Sequence, residues 1–295
     1  MSKLFAELPS RALIALSGPD WRSYLHGLVT NDVETLARGE ARFAALLTPQ
    51  GRLLWDLFVI GREDGCWLDV AAEHSEAIVQ RLTMYRLRAK VEIAAAAAGC
   101  AVLFSARPGE GRGPDDELGA LRSGSRPSLG RAEEVWVQDP RLPALGLRGY
   151  GVAPPAGGEI VAEAAYEAHR LALGVPGPAD WGSDRTYPIE ANFDLLHGID
   201  FKKGCFVGQE TTSRMKRRGQ IKNRMLPIAF DGPPPTPGAE VLNGTLRAGE
   251  VGSGTDGRAM ALLRLDRLAG ELTVDGRPVR VERPEWIIES LGEHA

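Results

Sequence analysis

Cysteine is scarce in this sequence. Its 295 residues include three cysteines, Cys66, Cys100 and Cys205, and no two of them are closely spaced. An odd number of unpaired thiols argues against a disulfide framework. Three thiols also cannot supply the ligands of a four-cysteine zinc or iron–sulfur site. If this chain handles metal clusters, it does not hold one with its own thiolates alone.

Long apolar runs are also missing. A membrane span needs about 20 mostly apolar residues, and the alanine run at residues 94–98 is far shorter. The first eight residues contain Lys3 and Glu7 and lack the apolar stretch of a signal peptide, and no Arg-rich transit peptide is evident. We therefore predict a cytoplasmic protein with no membrane partner.

The common catalytic and metal-binding motifs are absent as well. No G-x-S-x-G, Walker or Rossmann glycine pattern occurs, which leaves hydrolase and nucleotide-binding functions without support. Four of the five histidines show no H-x-x-x-H spacing and the fifth, His294, lies in the tail, so we predict no metal site. A net charge of −4 does not indicate a general polyanion-binding surface.

The length and the breaker residues predict more than one domain, since single cores stop growing near roughly 250–300 residues. Residues 106–131 are rich in Gly, Pro, Ser and charge and predict a long surface loop. Residues 231–238, DGPPPTPG, cannot continue a helix or a central strand, and we place a boundary there.

The patterns between these joints predict a mixed α+β protein. Apolar runs at 13–16, 43–47, 53–60, 67–70, 91–93 and 101–104 indicate strands, and 73–90 and 162–173 have helical spacing. This alternation suggests a ferredoxin-like α+β module. After residue 238, short runs separated by Gly and Asp, with a hairpin signal at Asp275-Gly276, predict a small β-barrel or sandwich.

The most unusual stretch is residues 202–224, KKGCFVGQETTSRMKRRGQIKNR. It holds eight Lys or Arg against one acid, Glu210, in a protein whose total charge is negative. Such a segment attracts anions, although a charge run more often forms a solvated basic face. Gly204 and Gly208 bracket Cys205 and allow close backbone approach to a ligand.

Two interpretations stay open for the polar residues of this stretch. Lys203 lowers the pKa expected of the neighbouring Cys205 thiol and favours a reactive thiolate, yet a free cysteine is more often a small buried hydrophobe. Gln209 and Glu210 can bind the polar edge of a heterocycle. They can also form a capping pair at a helix start, where the dipole favours Glu210, and both interpretations can hold at once.

The stretch Lys203–Glu210, KGCFVGQE, resembles the signature of the YgfZ family, whose mitochondrial counterparts assist maturation of iron–sulfur enzymes. Residues 28–33, 51–56, 169–176, 188–192 and 219–222 resemble neighbouring family blocks, so the resemblance spans about residues 13–265. The family is similar to the glycine-cleavage T-protein, an aminomethyltransferase. The resemblance implies an α+β fold with three domains in a cloverleaf, a ferredoxin-like module, a C-terminal β-barrel, and tetrahydrofolate as cofactor.

On that plan we expect a discontinuous folate-binding domain at 1–45 plus 140–230, a ferredoxin-like domain at 46–139 and a barrel at 239–295. The resemblance implies Cys205 and Lys203 as catalytic residues. The residues that it implies for folate binding are Asn31, Asp56, Glu190, Gly204, Gly208, Gln209, Glu210 and Arg214.

Departures from the aminomethyltransferase pattern distinguish between the YgfZ branch and the T-protein branch. Those enzymes have G-K-E where this chain has Gly208-Gln209-Glu210, lack the cysteine, and carry two aspartates where this chain reads Trp55-Asp56. Their R-x-E-x-G anchor reads Arg170–Gly174, RLALG, here, without its glutamate.

We therefore expect a folate-binding factor that supports assembly or repair of iron–sulfur enzymes, with client or assembly proteins as partners. A folate-dependent one-carbon transferase, with Asp56 and Glu190 as acid–base candidates, is one alternative. The other is a non-enzymatic RNA-binding or scaffold protein, but Phe206 is the one aromatic residue in residues 202–224 that could stack on a base, so we do not expect nucleic acid as a partner.

Overall fold

A computed structural model describes residues 3–106, 121, 134–219 and 221–291 of the protein. The predicted loop at 106–131 lies outside the described residues except at its first residue and at residue 121. Spatial grouping divides the chain into two compact units. Unit 1 is Met1–Leu46, Trp55–His169 and Leu196–Val207, and unit 2 is Leu47–Leu54, Arg170–Leu195 and Gly208–Ala295.

Strands dominate the described residues. The strands are β1 Lys3–Glu7, β2 Arg11–Ser17, β3 Ala41–Leu47, β4 Leu53–Arg62, β5 Gly65–Ala71, β6 Glu92–Ala96, β7 Cys100–Ser105, β8 Val135–Gln138, β9 Leu147–Tyr150, β10 Gly158–Ile160, β11 Asn223–Ala229, β12 Glu240–Asn243, β13 Leu246–Thr255, β14 Arg258–Arg264, β15 Leu272–Val274 and β16 Arg277–Val281. The helices are α1 Trp21–His26, α2 Ser75–Arg86, α3 Glu163–Ala172, α4 Pro178–Trp181, α5 Gln209–Arg218 and α6 Glu285–Leu291.

Unit 1 contains two five-stranded sheets, apart from the ends of β3 and β4 that belong to unit 2. One sheet has the order β10-β1-β7-β9-β8 and the other has the order β3-β4-β5-β2-β6. The second sheet shares a core with α1 and α2, in which Ile14, Leu25, Leu68 and Leu82 are buried. Burial of such apolar surface is the main favourable term in folding.

Unit 2 contains a closed barrel in the order β11-β14-β13-β12-β15-β16. Its interior is apolar and includes Ile228, Val241, Ala261 and Val274, all with 0% exposure. Closure of the barrel pairs β11 with both β14 and β16, so that these strands have no open edge. The C-terminal barrel predicted from the sequence is therefore confirmed.

Most predicted elements are present at slightly different bounds. The strand patterns between 13 and 104 correspond to β2–β7, and the two helical patterns correspond to α2 and α3. Asp275 and Gly276 have φ angles of 50° and 76° and connect β15 to β16, as the hairpin signal predicts. The three-domain boundaries stay a prediction.

No helix among the described residues combines the length and the apolar character needed to cross a membrane.

Candidate functional site

Lys203 is bound by the backbone of the segment that follows α1, within unit 1. Its Nζ donates to the carbonyl oxygens of His26 at 2.5 Å, Val29 at 2.6 Å and Asn31 at 3.1 Å. An ammonium group has three protons to donate, and three carbonyl oxygens lie within reach. Lys203 therefore attaches the chain around residue 203 to the loop after α1.

Burial governs the electrostatics of Lys203. Desolvation lowers the pKa of Lys203 to about 8, against the carboxylates of Asp32, Asp200 and Glu34, which raise it. The ammonium also lies 5.1 Å from the centre of the Phe206 ring, a cation–π distance. The geometry gives this predicted catalytic residue a role in holding the loop.

Cys205 has an exposed side chain, whereas Cys66 and Cys100 are buried. Burial raises the pKa of the Cys66 and Cys100 thiols well above the usual range, so both stay protonated and inert. The expectation that these two cysteines are buried hydrophobes is confirmed. The alternative that Cys205 is also a buried hydrophobe is wrong, because its thiol is accessible to a partner or reagent.

Asn31, a predicted folate contact, directs its side chain towards the backbone. Its Nδ2 donates to the carbonyl oxygens of Phe43 and His197, both at 2.7 Å, and its Oδ1 accepts from the N–H of Asp32 at 2.8 Å. The amide is 7% exposed. Asn31 thus supports the same loop that Lys203 holds.

Gly204 and Gly208 differ in conformation. Gly208 has a φ of +82°, and a Cβ at this position would lie 2.6 Å from the carbonyl oxygen of Thr48 and 2.9 Å from the Cα of Gly51. Gly204 is outside the positive-φ region, and the nearest atom to an added Cβ is His26 Nε2 at 3.9 Å. Gly208 therefore lacks room for a side chain within the protein, and the approach of either glycine to a ligand stays a prediction.

Gly208 precedes α5 within unit 2 and is its N-cap residue. Gln209 and Glu210 occupy the first turn, where the helix dipole favours the Glu210 carboxylate, so the predicted helix start is confirmed. Arg214 lies on α5 with an exposed side chain. Lys216, Arg217 and Arg218 form the last turn, where positive charge is favourable.

Arg224 does not belong to the exposed part of the basic segment. Its guanidinium is fully buried and donates to both carboxylate oxygens of Asp194, at 2.7 and 2.9 Å, and to the carbonyl oxygen of Ile189 at 2.8 Å. Glu190 follows Ile189 in the chain. Its carboxylate accepts from Asn223 Nδ2 at 2.8 Å and from the N–H of Tyr187 at 3.1 Å.

Asp56 lies in a buried charge network of unit 1. Its Oδ2 is 3.1 Å from Arg11 Nη1, and Arg11 Nε donates to Asp69 Oδ1 at 2.6 Å. Asp56 is 3% exposed. Its role as a folate contact stays a prediction, as do those of Asn31 and Glu190, while the contacts described here tie all three to protein groups.

The structure also brings together His26, Asp32 and Glu34, which sequence reasoning did not identify as a group. Each offers one ligand atom, and these atoms lie within 4.8 Å of one another. H-x-x-x-H spacing does not describe this group, because its one histidine ends a short helix and the two acids follow in a loop. The signal in the sequence was the pair of acids in D-x-E soon after His26.

A cleft of about 540 Å³ opens on the barrel, where Leu272, Thr273, Pro278 and Val279 are among its lining residues. None of the predicted site residues lines it. The predicted site residues of the basic segment thus lie in two separately described places: the loop around Lys203 and Cys205 in unit 1, and the N-terminal turn of α5 in unit 2.

Comparisons with known proteins find relatives whose sequences match over most of this chain. Residues 222–288 match the model of the CAF17 C-terminal beta-barrel domain. The human iron-sulfur cluster assembly factor IBA57, mitochondrial, is 30% identical over 315 residues, which cover 95% of this chain and 84% of the human protein. A Pyricularia oryzae IBA57 homologue is 30% identical and covers 93% of this chain and 75% of its own length.

Some relatives are considerably longer than this chain. A Phaeosphaeria nodorum IBA57 homologue is 34% identical over 241 residues, which cover 76% of this chain and 55% of that protein. The corresponding match to the Neurospora crassa homologue covers 54% of that protein. The chain thus spans little more than half the length of these two relatives.

A solved structure confirms the fold prediction. Aminomethyltransferase T of the glycine cleavage system from Bartonella henselae matches with a TM-score of 0.76 and 16% identity, over 98% of this chain and 87% of that one. At this identity the likeness shows the fold alone. The chain has the mixed α+β fold of the T-protein type with a C-terminal barrel.

The predicted cytoplasmic location is wrong by these comparisons. The IBA57 relatives, including the human protein, are named as mitochondrial proteins. The prediction depended on the lack of a recognisable leader in the first residues, and that composition is weaker evidence than relatives that match along most of the chain.

Proposed function

We propose a function from one premise: the chain belongs to the family of IBA57 iron–sulfur cluster assembly factors. The protein supports the assembly or repair of iron–sulfur enzymes, and the Cys205 thiol is the side-chain group through which it does so. Within the family, the KGCFVGQE segment favours the YgfZ type. The observation that carries the proposal is the exposed Cys205 thiol on a loop that Lys203 attaches to three carbonyl oxygens.

The number of thiols suggests how Cys205 acts. Cys66 and Cys100 are buried and protonated, which leaves one accessible thiol for iron or sulfur. Iron–sulfur clusters are held mainly by several cysteine thiolates. Cys205 therefore works together with ligands from a client or assembly protein, and the cluster is cargo that the two proteins share.

Tetrahydrofolate is the proposed small-molecule ligand. The resemblance to the YgfZ and T-protein families supports this ligand, and the T-protein type of fold agrees with it. Gln209, Glu210 and Arg214 follow Gly208 on the first turns of α5, and their side chains are half-buried or exposed. These three are the proposed contacts, because an amide, a carboxylate and a guanidinium suit the polar groups of a folate.

Complementation in cells tests the role of the thiol. In a strain without this gene, Cys205→Ala and Cys205→Ser are expected to reduce the activity of iron–sulfur enzymes to the level of the empty strain. Ser183→Ala, at another exposed position, is the control and is expected to restore full activity. Full activity with both cysteine variants, at normal protein level, would overturn the proposed role of Cys205.

Calorimetric titration of the purified protein with tetrahydrofolate tests the ligand. Binding is expected to weaken at least about ten-fold in Arg214→Ala, since hydrogen bonds to charged groups contribute about 1.5–3 kcal/mol. Arg247→Ala, at an exposed position on β13, serves as the matched control. No heat of binding to the wild-type protein would remove folate from the proposal and leave the role of the thiol to be judged by complementation.

A further inference from the structure

A group of potential metal ligands lies directly after α1. His26 ends α1, and Asp32 and Glu34 follow in the loop that leads to β3. One ligand atom from each residue lies within 4.8 Å of the others. Imidazole nitrogen and carboxylate oxygen are both ligands of divalent first-row transition metals.

The imidazole of His26 has a buried nitrogen without a hydrogen bond. His26 Nδ1 is inaccessible to solvent and has no hydrogen-bond partner, although Asp32 Oδ1 is 3.2 Å away. The separation is short, but the geometry is not that of a hydrogen bond. A polar atom that is buried without a partner costs free energy, and a bound cation between the nitrogen and the carboxylate would remove that cost.

Two cationic side chains hold the loop in place by its carbonyl oxygens. Lys203 binds the oxygens of residues 26, 29 and 31. Arg22 Nη1 donates to those of Val33 at 3.0 Å, Glu34 at 3.3 Å and Leu36 at 2.8 Å. Fixed ligands bind a metal more tightly than mobile ones, because less conformational freedom is lost on binding.

The side chain of Asp32 is itself held in one orientation. Its Oδ1 accepts from the N–H of Glu34 at 2.8 Å, and its Oδ2 accepts from Thr35 Oγ1 at 2.5 Å. These two hydrogen bonds present the Asp32 carboxylate to the group in a fixed orientation.

The charges near the group favour a cation. The carboxylates of Asp32, Glu34 and Asp200 all act electrostatically on the Lys203 ammonium. The Arg22 guanidinium adds a second positive charge, directed to backbone oxygens. A divalent ion would offset the remaining carboxylate charge.

We propose that His26, Asp32 and Glu34 bind a divalent first-row transition-metal ion. Three protein ligands leave coordination positions open for water or another donor, as in catalytic rather than structural metal sites. The chain of the Cys205 loop passes nearby, since a Cβ on Gly204 would lie 3.9 Å from His26 Nε2. This site goes beyond the proposed function and does not depend on it.

Cobalt titration of the full-length chain tests the site. The purified protein is stripped with a chelator and titrated with Co²⁺ under reducing conditions, followed by visible absorption and calorimetry. One ion per chain is expected for the wild-type protein. Glu34→Gln and His26→Asn are each expected to weaken binding at least about ten-fold, a loss that even outer-shell substitutions cause in metal sites.

Matched variants distinguish an ion at this site from one bound by the thiol or by scattered surface carboxylates. Asp64→Asn, at an exposed acid that is not one of the three ligands, is expected to bind as the wild type does. Cys205→Ser is expected to keep its ion, because the thiol is not one of the three ligands. Glu34 is exposed, so Glu34→Gln is expected to melt at the wild-type temperature without metal. Zn²⁺ should raise the melting temperature of the wild type but not that of Glu34→Gln.

Three results would overturn the proposal. These are no binding of Co²⁺ or Zn²⁺ to the wild type, unchanged binding in both Glu34→Gln and His26→Asn, and complete loss of binding in Cys205→Ser. The first would show that the three side chains do not bind a divalent ion in solution. The last would assign any binding to the thiol.

Discussion

Two glycines four residues apart show that the same residue type can serve different purposes within one motif. Gly208 has a positive φ and faces Gly51, whose own Cβ would lie 2.9 Å from the carbonyl oxygen of Gly208. The two backbones approach so closely that a side chain on either would collide with the other. An added Cβ on Gly204 would make an ordinary van der Waals contact with His26 Nε2 at 3.9 Å, so this backbone position does not require glycine.

This contrast predicts different costs for the same substitution. Gly208→Ala is expected to lower the free energy of unfolding by about 1–3 kcal/mol, the cost of a strained backbone conformation, with the contact to Thr48 adding to it. Gly204→Ala is expected to change it by less than about 0.5 kcal/mol. Urea unfolding of both variants measures the difference. Equal effects would contradict the distinction drawn between the two glycines.

Lys203 and Asn31 show what a motif can and cannot reveal about a residue. The sequence pattern identified both as important, and both lie in the candidate site. Their bonding partners could not be predicted, because Lys203 binds carbonyl oxygens 172 to 177 positions away in the chain. Carbonyl oxygens are present at every residue, so no side-chain pattern marks the ones that a lysine will bind.

At the level of elements, a buried charge network connects the two sheets of unit 1. Arg148 on β9 donates to Asp69 on β5 at 2.6 Å and lies 3.3 Å from Asp139, which follows β8. The Arg148 guanidinium is 4.0 Å from the centre of the Phe58 ring on β4. Arg11 provides a second cation for Asp69. The network is thus compensated in charge and stacked on an aromatic ring.

The pKa values of the two carboxyls follow from this compensation. Burial alone would raise the pKa of Asp69, but Arg11 and Arg148 outweigh burial and lower it. The pKa of Asp139 is lowered in the same way, by Arg141 and Arg148 against the effect of burial. Because both folded pKa values lie below the unfolded ones, their contribution to stability is complete above about pH 4 and decreases as the pH falls further.

Removal of the central cation is therefore expected to be costly at neutral pH. Arg148→Met should lower the free energy of unfolding by about 3–5 kcal/mol, the cost of leaving a buried charge uncompensated. The difference from the wild type should shrink towards pH 4, because protonation of the buried carboxylates in the variant removes their uncompensated charge. Urea unfolding at pH 7 and pH 4 measures both.

The exposed pair Arg38–Glu63 provides the control for this experiment. Its side chains are 62% and 72% exposed, and exposed ion pairs contribute about 0–1 kcal/mol. Arg38→Met is therefore expected to change stability little at either pH. A loss in Arg148→Met no larger than that in Arg38→Met would show that the network does not stabilise unit 1.

Local sequence patterns predicted the individual helices and strands better than they predicted which strands join the barrel. The hairpin at Asp275-Gly276 and the end of α3 near Gly174 follow from backbone conformation alone, since Gly174 has a φ of 68°. The barrel was recognised, but its first strand, β11, lies before the predicted boundary at 239. Strand β11 joins the barrel through pairing with β14 and β16, and such long-range pairing leaves no signal in the strand itself.

At the scale of the whole molecule, the likeness in fold and the likeness in sequence lead to proteins with different names. The chain has the fold of a glycine-cleavage aminomethyltransferase at 16% identity, while its relatives by sequence are IBA57 assembly factors. The departures from the aminomethyltransferase pattern that we expect to bear on chemistry include Cys205, in the loop before α5, and Gln209, at the start of α5. A shared scaffold with exchanged side chains is a common way for folds to acquire new functions.

The different burial of the three cysteines predicts how the whole protein responds to a thiol reagent. In the native state, one thiol per chain is expected to react quickly, and Cys205→Ser is expected to abolish this reaction. Cys66 and Cys100 are 1% and 5% exposed, so they can react only when the structure opens. Their reaction should therefore become faster with urea in step with unfolding. Rapid reaction of two or three thiols without urea would mean that unit 1, which contains all three cysteines, opens far more readily than its buried core indicates.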